Sequence, residues 1–378
     1  MNNLDQGARH RRVVTVSGNV PQSYDDEYES GQRPRADYVA IADAANAELL
    51  DRREVSAAAG VVGKLLAAVL GPDVAMAWHL FRNHKSYDVV LTDGEQVGLP
   101  FAFFLQFASR HHVRHVMIAH RISARKKRAV IRLLGLTRGV NELLVYSTSQ
   151  LRAAHDLFHR PGQKVTQIDF MVDTNFFEKQ NRDRPATQDR PLLVTAGREF
   201  RDYPTLIDAV VGLDVDVVVA SASPWSKRED NARDTDIPDN VTITKLSQYE
   251  LRDLYDRADL CVVPLQPVDF QAGITTILEA MAMELPVICT ATMGQIDVVV
   301  AGETGKYVGP GNVRAMREAI TELLADASRR HEMGKAGRRL VEERAEVSFY
   351  ARTIADRLDY QAAEGEWAAQ MRQAVVPS

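Results

Sequence analysis

Short unbroken apolar runs alternate along this chain with longer stretches in which apolar residues recur every three to four positions. "RVVTVSG" (12–18), "YDVVLTD" (87–93), "HVMIAH" (115–120), "ELLVYS" (142–147) and "KVTQIDF" (164–170) are of the first kind. Helical periodicity covers residues 42–53 and 55–81, then "VGLPFAFFLQFASR", "ARKKRAVIRLLG" and "SQLRAAHDLF". The acidic, polar "YDDEYESGQRPR" (24–35) between them reads as a mobile loop. Unbroken apolar strands separated by helices predict a parallel sheet covered on both faces.

Residues 179–191, "KQNRDRPATQDRP", have no apolar period and carry charges and prolines, which is linker composition. The alternation then restarts. "LLVTAG", "VDVVVAS", "NVTITKL", "DLCVVPL" and "PVICTA" read as strands, and "YPTLIDAVVGL", "QYELRDLYDRA", "ITTILEAMA" and "RAMREAITELLAD" as helices. Two open α/β domains joined by a linker leave a cleft between the carboxyl ends of their strands, where ligands bind in such folds.

The length of 378 residues suits two domains, and 45% hydrophobic with 26% charged residues is a globular composition. A net charge of -5 gives no bulk basic field, so no nucleic-acid partner is expected. "MNNLDQGARHRR" has no apolar signal-peptide core, and the reading is a cytoplasmic protein. "VGLPFAFFLQFA" and "GVVGKLLAAVLG" are too short to span a bilayer and are expected as buried helices. Cys261 and Cys289 lie in short apolar runs and read as buried thiols. No cluster of acids has chelating spacing, so no metal is expected.

Arg198 and Arg201 follow a strand and precede a helix, at the ligand-facing edge of a parallel sheet. Two guanidiniums there suit a diphosphate; the competing reading is a solvated pair matched by Glu199 and Asp202. Gly273, Ile274, Thr275 and Thr276 open a helix after another strand, so free backbone N–H groups and the helix dipole would face the same cleft. Glu279 follows one turn on, among apolar neighbours. It is placed either for a ribose diol or for capping a loop or pairing with an arginine. Residues 121–138 hold Arg121, Arg125, Lys126, Lys127, Arg128, Arg132 and Arg138 with no acid among them. They read either as a solvated helix face or as a peripheral contact with anionic lipid at the inner membrane face.

Several segments occur together in a known order. "GREFRDYPTLIDAV", "ELRDLYDRADLCVVPL", "ILEAMAMELPVICT" and "GQIDVVVAGETGKYVGPGNVRAMREAITELLAD" resemble successive motifs of the retaining GT-B glycosyltransferases, specifically glycosyltransferase family 4. The matched stretch runs over about residues 191–345, and "YDVVLTDGEQVGLP" and "HVMIAHRIS" fit the first half more loosely. The resemblance implies a GT-B fold, with two Rossmann-like domains facing across a cleft. It implies an acceptor-binding domain over 1–183, a nucleotide-sugar domain over 184–350 and a closing helix in 351–378 that packs back on the first. It implies a metal-independent hexosyltransferase moving a sugar from a nucleoside diphosphate sugar to a small-molecule, glycan or lipid-linked acceptor, with the donor as co-substrate and no other cofactor.

By the same resemblance Arg198, Arg201, the turn from Gly273 to Thr276 and Glu279 bind the donor. His120 contacts the donor sugar and the reaction centre, the alternative being a structural histidine. Asp93 and Glu95 touch the acceptor or are surface loop acids. The family pattern is Glu, seven residues, Glu; here Gln271 stands at the first position. Glutamine keeps an acceptor oxygen for sugar hydroxyls and loses the charge that would support an oxocarbenium-like centre. The base pocket is expected near Ser221–Ser223 and residues 244–247. Two other readings stand beside this one: a GT-B nucleotide-sugar epimerase, and a degenerate GT-B protein that only binds.

Overall fold

The computed structural model describes residues 11–108, 113–180, 189–220 and 237–359. Strands β1 (Arg12–Thr15), β2 (Glu48–Leu50), β3 (Val89–Thr92), β4 (Arg114–Ala119), β5 (Glu142–Val145) and β6 (Lys164–Gln167) form one six-stranded sheet, in the order β2-β1-β3-β4-β5-β6. Strands β7 (Leu192–Ala196), β8 (Asp216–Ala220), β9 (Val241–Thr244), β10 (Leu260–Val263), β11 (Val287–Thr290) and β12 (Gly305–Val308) form the second, in the order β12-β11-β10-β7-β8-β9. Every pairing within both sheets is parallel.

The apolar runs form strands because each faces helices on both sides. In the second sheet Leu193, Val217, Val262 and Ile288 pack on the helices Tyr203–Val210 and Val313–Ala325. Val194, Cys261, Val263, Val287 and Cys289 pack on the opposite face, against the helix Ile274–Ala282. Both cysteines are buried free thiols, as their apolar setting predicted. In the first sheet Val14, Leu91, Val116, Ile118 and Leu144 pack under the helices Asp37–Ala45 and Val347–Arg357. The latter helix follows the second sheet in sequence and crosses back to the first. There Tyr350 Oη and Tyr146 Oη share a buried 2.7 Å hydrogen bond. The expected junction at 183/184 and residues 360–378 of the closing segment lie outside the described residues.

Five sequence expectations change. The periodicity over 42–53 is not one helix: Asn46 turns left-handed (φ 48°), β2 follows, and Asp51 starts the helix Arg52–Ala58 with a capping box to Glu54. The pattern over 55–81 is broken at Gly60 and Gly71 into that helix, Val61–Leu70 and Pro72–Arg82. The Val61–Leu70 helix is not buried. It rides outside its neighbour with Val61 86% and Leu65 62% exposed, and only Gly63 is buried on it. The acidic 24–35 segment contains a helix, Tyr24–Glu29, anchored by buried Tyr24. β2 and β12 carried no clear strand signal because both are short edge strands, only partly covered. Among the described residues no helix is long and apolar enough to cross a membrane.

Candidate functional site

In the second sheet the chain winds outward from β7 to β8 and β9, then restarts at β10 on the other side of β7. The crevice of such a sheet opens where the winding reverses, between β7 and β10. Residues 197–202 leave β7 there and residues 264–273 leave β10. Backbone bonds zip the two loops together: Asp202 N donates to Pro264 O at 3.0 Å and Gln266 N to Phe200 O at 2.9 Å.

Arg201 is 5% exposed. Its Nε donates to Ala196 O (2.9 Å), Nη1 to Glu199 O (3.0 Å) and Nη2 to Thr276 Oγ1 (3.2 Å). Thr276 Oγ1 in turn donates to Ala196 O at 3.2 Å. The guanidinium therefore welds the end of β7 to the first turn of the Ile274–Ala282 helix. Gly197 (φ +92°) and Gly273 (φ +77°) make room for it, since a Cβ on them would lie 2.5 Å and 3.4 Å from its terminal nitrogens. The pairing of Arg201 with Asp202 did not form: Asp202 caps the Tyr203–Val210 helix through Thr205. Arg198 is half-buried two residues beyond the end of β7.

Gly273 caps the Ile274–Ala282 helix in the left-handed conformation, with no side chain bonding the first-turn N–H groups. Thr275 is exposed beside them, while Ile274 and Thr276 are buried. One turn in, Glu279 is 7% exposed and accepts a 3.1 Å hydrogen bond from Tyr255 Oη. Burial pushes its carboxyl up to about 8 against the opposing pull of Tyr255 and Arg201. The sequence reading assigned no role to Tyr255, although "DLYDRAD" lies in a segment quoted for the resemblance.

Across the cleft, His120 follows β4 and is exposed, so it is not a core histidine. Its Nε2 is 3.0 Å from Asp93 O, and its ring lies 5.4 Å from that of Tyr146. Tyr146 and Gln271 line one cavity between the two sheets, with Ile274, Leu278 and Asp297. Gln271 Oε1 is buried there without a hydrogen-bond partner. The structure thus sets Gln271, Ile274 and Leu278 on one cavity, with His120 beside its lining residue Tyr146.

Glu95 and Asp93 have internal duties. Glu95, 4% exposed, accepts from His120 N and Arg121 N (both 2.9 Å) and from Lys127 Nζ (2.6 Å). Burial pushes its carboxyl up, but Lys127 and then His120 outweigh this and hold it below the ordinary value. Asp93 accepts from Ser17 N (2.7 Å), Ser17 Oγ (2.8 Å) and Thr15 Oγ1 (3.2 Å). The basic stretch is likewise partly spent within the fold. Arg121 lies 4.8 Å over the Phe270 ring and 3.9 Å from Asp269, Lys127 pairs with Glu95, and Arg128 pairs with Asp156 at 3.1 Å. Arg125, Lys126, Arg132 and Arg138 are exposed. Of the expected base pocket, Ser221–Ser223 lie outside the described residues, and Ser247 caps the helix Gln248–Arg257.

Residues 176–340 match the family model described as glycosyl transferases group 1. A GDP-mannose-dependent alpha-(1-6)-phosphatidylinositol monomannoside mannosyltransferase from Mycolicibacterium smegmatis is 28% identical over 197 residues, 47% of this chain and 52% of that one. The chain spans between 18% and 64% of the length of the curated relatives it matches. Among solved structures, sucrose-phosphate synthase from Thermosynechococcus elongatus superposes with a TM-score of 0.69 at 18% identity, covering 96% of this chain and all of that one (100%). Anabaena HepE, solved with UDP-glucose, gives 0.66 at 15% identity over 92% of this chain and 99% of its own. At those identities the likeness is one of fold. The chain has the two-domain GT-B fold, and its residues 176–340 match the model of the glycosyl transferases group 1.

Proposed function

We propose that this protein transfers a hexose from a nucleoside diphosphate sugar to an acceptor hydroxyl, with retention of configuration and without a catalytic metal. One observation carries the reading. A buried guanidinium is locked between two left-handed glycines at the start of a helix with no side-chain cap, and a buried carboxylate lies one turn further in. Cationic donors and free N–H groups suit the diphosphate, and a carboxyl about 5 Å deeper along the helix suits the ribose diol.

In this reading Arg198, Arg201 and the Gly273–Thr276 turn hold the diphosphate and take up charge as it leaves. Three of the five N–H groups of Arg201 serve the fold, which fixes the direction of the rest. Glu279 binds the ribose, and Gln271 Oε1 accepts from a hydroxyl of the transferred sugar. His120 faces that sugar from the other domain, oriented by Glu95 through its backbone and by Asp93 O through its ring. Residues 1–183 form the acceptor domain, 184–350 the donor domain, and 351–378 the closing segment. The mycobacterial relative takes GDP-mannose and a phosphatidylinositol glycolipid by name. A lipid-linked acceptor reached from the cytoplasmic membrane face, through exposed Arg125, Lys126 and Arg132, fits the same scheme.

The neutral amide of Gln271 favours one second reading, a binding-only protein. A thermal-shift panel of nucleoside diphosphates and their sugars, followed by turnover assays on those that bind, separates the two. Transfer or donor hydrolysis supports the enzyme; binding with no turnover on any donor supports the binder. Arg198→Ala and Glu279→Ala are each expected to weaken donor binding about tenfold or more. Unchanged affinity in both discards the site.

A further inference from the structure

Gln150 is 1% exposed, and both ends of its amide are engaged. Oε1 accepts from Ile122 N (2.7 Å) and Ser123 N (3.1 Å). Nε2 donates to Ser123 Oγ (2.9 Å) and to Asp269 O (2.6 Å). The orientation is dictated by these partners: a flipped amide would set N–H against N–H and oxygen against oxygen. Together with Glu95, which takes the N–H groups of His120 and Arg121, this buried side chain fixes four consecutive backbone donors from 120 to 123. Glu95 holds them to their own domain, whereas Gln150 also carries the tie across the cleft.

The place where the tie lands matters. Asp269 is two residues before Gln271, and its carbonyl takes a second bond, from Ser149 Oγ at 2.6 Å. Thr148 N and Oγ1 donate to Asp297, which lines the same cavity as Gln271. Gly294 braces the 268–270 backbone from behind, so closely that a Cβ on it would meet Phe270 O at 2.1 Å. The loop bearing Gln271 is thus backed by the second domain on one side and gripped by the Gln150 amide on the other.

We propose that Gln150 is a positioning residue that sets the register between the two faces of the reaction centre. It holds His120, through the backbone that follows it, at a fixed spacing from Gln271, through the Asp269 carbonyl. The idea rests on the transfer reaction proposed above. When the domains part to release product, the bond from Nε2 to Asp269 O is broken while those to Ile122, Ser123 and Ser123 Oγ persist. The His120 loop keeps its shape and only the register is lost.

Gln150→Glu tests this. A carboxylate still accepts from Ile122 N and Ser123 N, but it opposes the Asp269 carbonyl. Ser149→Ala removes the neighbouring bond to the same carbonyl and leaves the Gln150 network whole. The expected result for Gln150→Glu is a nucleoside diphosphate Kd close to wild type with kcat lower by about 100-fold, well beyond what the lower melting temperature of a buried carboxylate accounts for. A larger share of donor should be lost to water rather than to acceptor. Ser149→Ala is expected to lower kcat about threefold, as one of two bonds to the carbonyl. A second readout needs no substrate: fluorophores on Ser56→Cys and Glu318→Cys, with the native thiols buried, report the interdomain distance. Gln150→Glu should broaden that distribution. An unchanged distribution, or kcat falling only in step with lost stability, overturns the proposal. A wild-type protein that binds no nucleotide would sink the transferase reading instead, and the distance measurement would still decide the role of Gln150.

Discussion

Glu279 is buried against Tyr255 and within the field of Arg201, and burial still prevails, raising its pKa from 4.5 to about 8. Between those two values the folded protein holds a proton that the unfolded chain has released. Stability therefore falls as pH rises across that window, by roughly 5 kcal/mol in total. Glu279→Gln is expected to match the wild type near pH 4.5 and to become the more stable of the two as pH approaches 8; urea denaturation at both ends checks it. Parallel pH profiles would mean the carboxyl is charged throughout. A ribose diol donating two hydrogen bonds selects the carboxylate, so donor binding at pH 7 should release a proton, visible by calorimetry in buffers of different ionisation enthalpy. Glu279 and Arg201 stood out in the sequence as candidates from their types and spacing. That Arg201 spends three donors on Ala196, Glu199 and Thr276 was not legible there, because partners 2, 5 and 75 residues away take up this geometry only in the folded chain.

The Ile274–Ala282 helix owes its start to Gly273, whose φ of +77° is one that side-chain-bearing residues rarely adopt. An added Cβ would also lie 2.8 Å from Val263 Cγ1. Gly273→Ala is expected to cost about 1–3 kcal/mol and to weaken nucleoside diphosphate binding. Gly302 offers the control: φ is +82° with open space around it, so Gly302→Ala should lower stability and leave binding unchanged. If both variants bind alike, the helix start is not the phosphate seat. At this scale the central strands were readable because burial on both faces leaves them as mostly apolar runs, with the few polar residues such as Thr92, His115 and Thr195 buried as well. The breaks at Asn46, Gly60 and Gly71 were harder to place, since apolar periodicity continues through them. The Val61–Leu70 helix shows the limit of composition: its apolar residues follow one another on every side, and only the neighbouring helix determines which are covered.

The molecule as a whole presents a mixed apolar and cationic face around Arg125, Lys126 and Arg132, where Val130 is 47%, Leu133 84% and Leu134 44% exposed. Well-placed basic residues contribute about 1 kcal/mol each at an anionic surface. The triple variant Arg125→Glu, Lys126→Glu, Arg132→Glu is therefore expected to abolish flotation with anionic liposomes, and neutral liposomes should not bind the wild type. Flotation indifferent to lipid charge or to the variant would remove membrane contact from the scheme. The sequence by itself determined the alternating α/β class and the parallel sheets, because these follow from local period and residue type. The tertiary structure decided where the order of the second sheet reverses, how the Val347–Arg357 helix returns to the first, and which side chains join the two halves. The physical reason is that sheet order, helix return and interdomain hydrogen bonds are long-range choices, made by packing among segments whose local sequences are compatible with several arrangements.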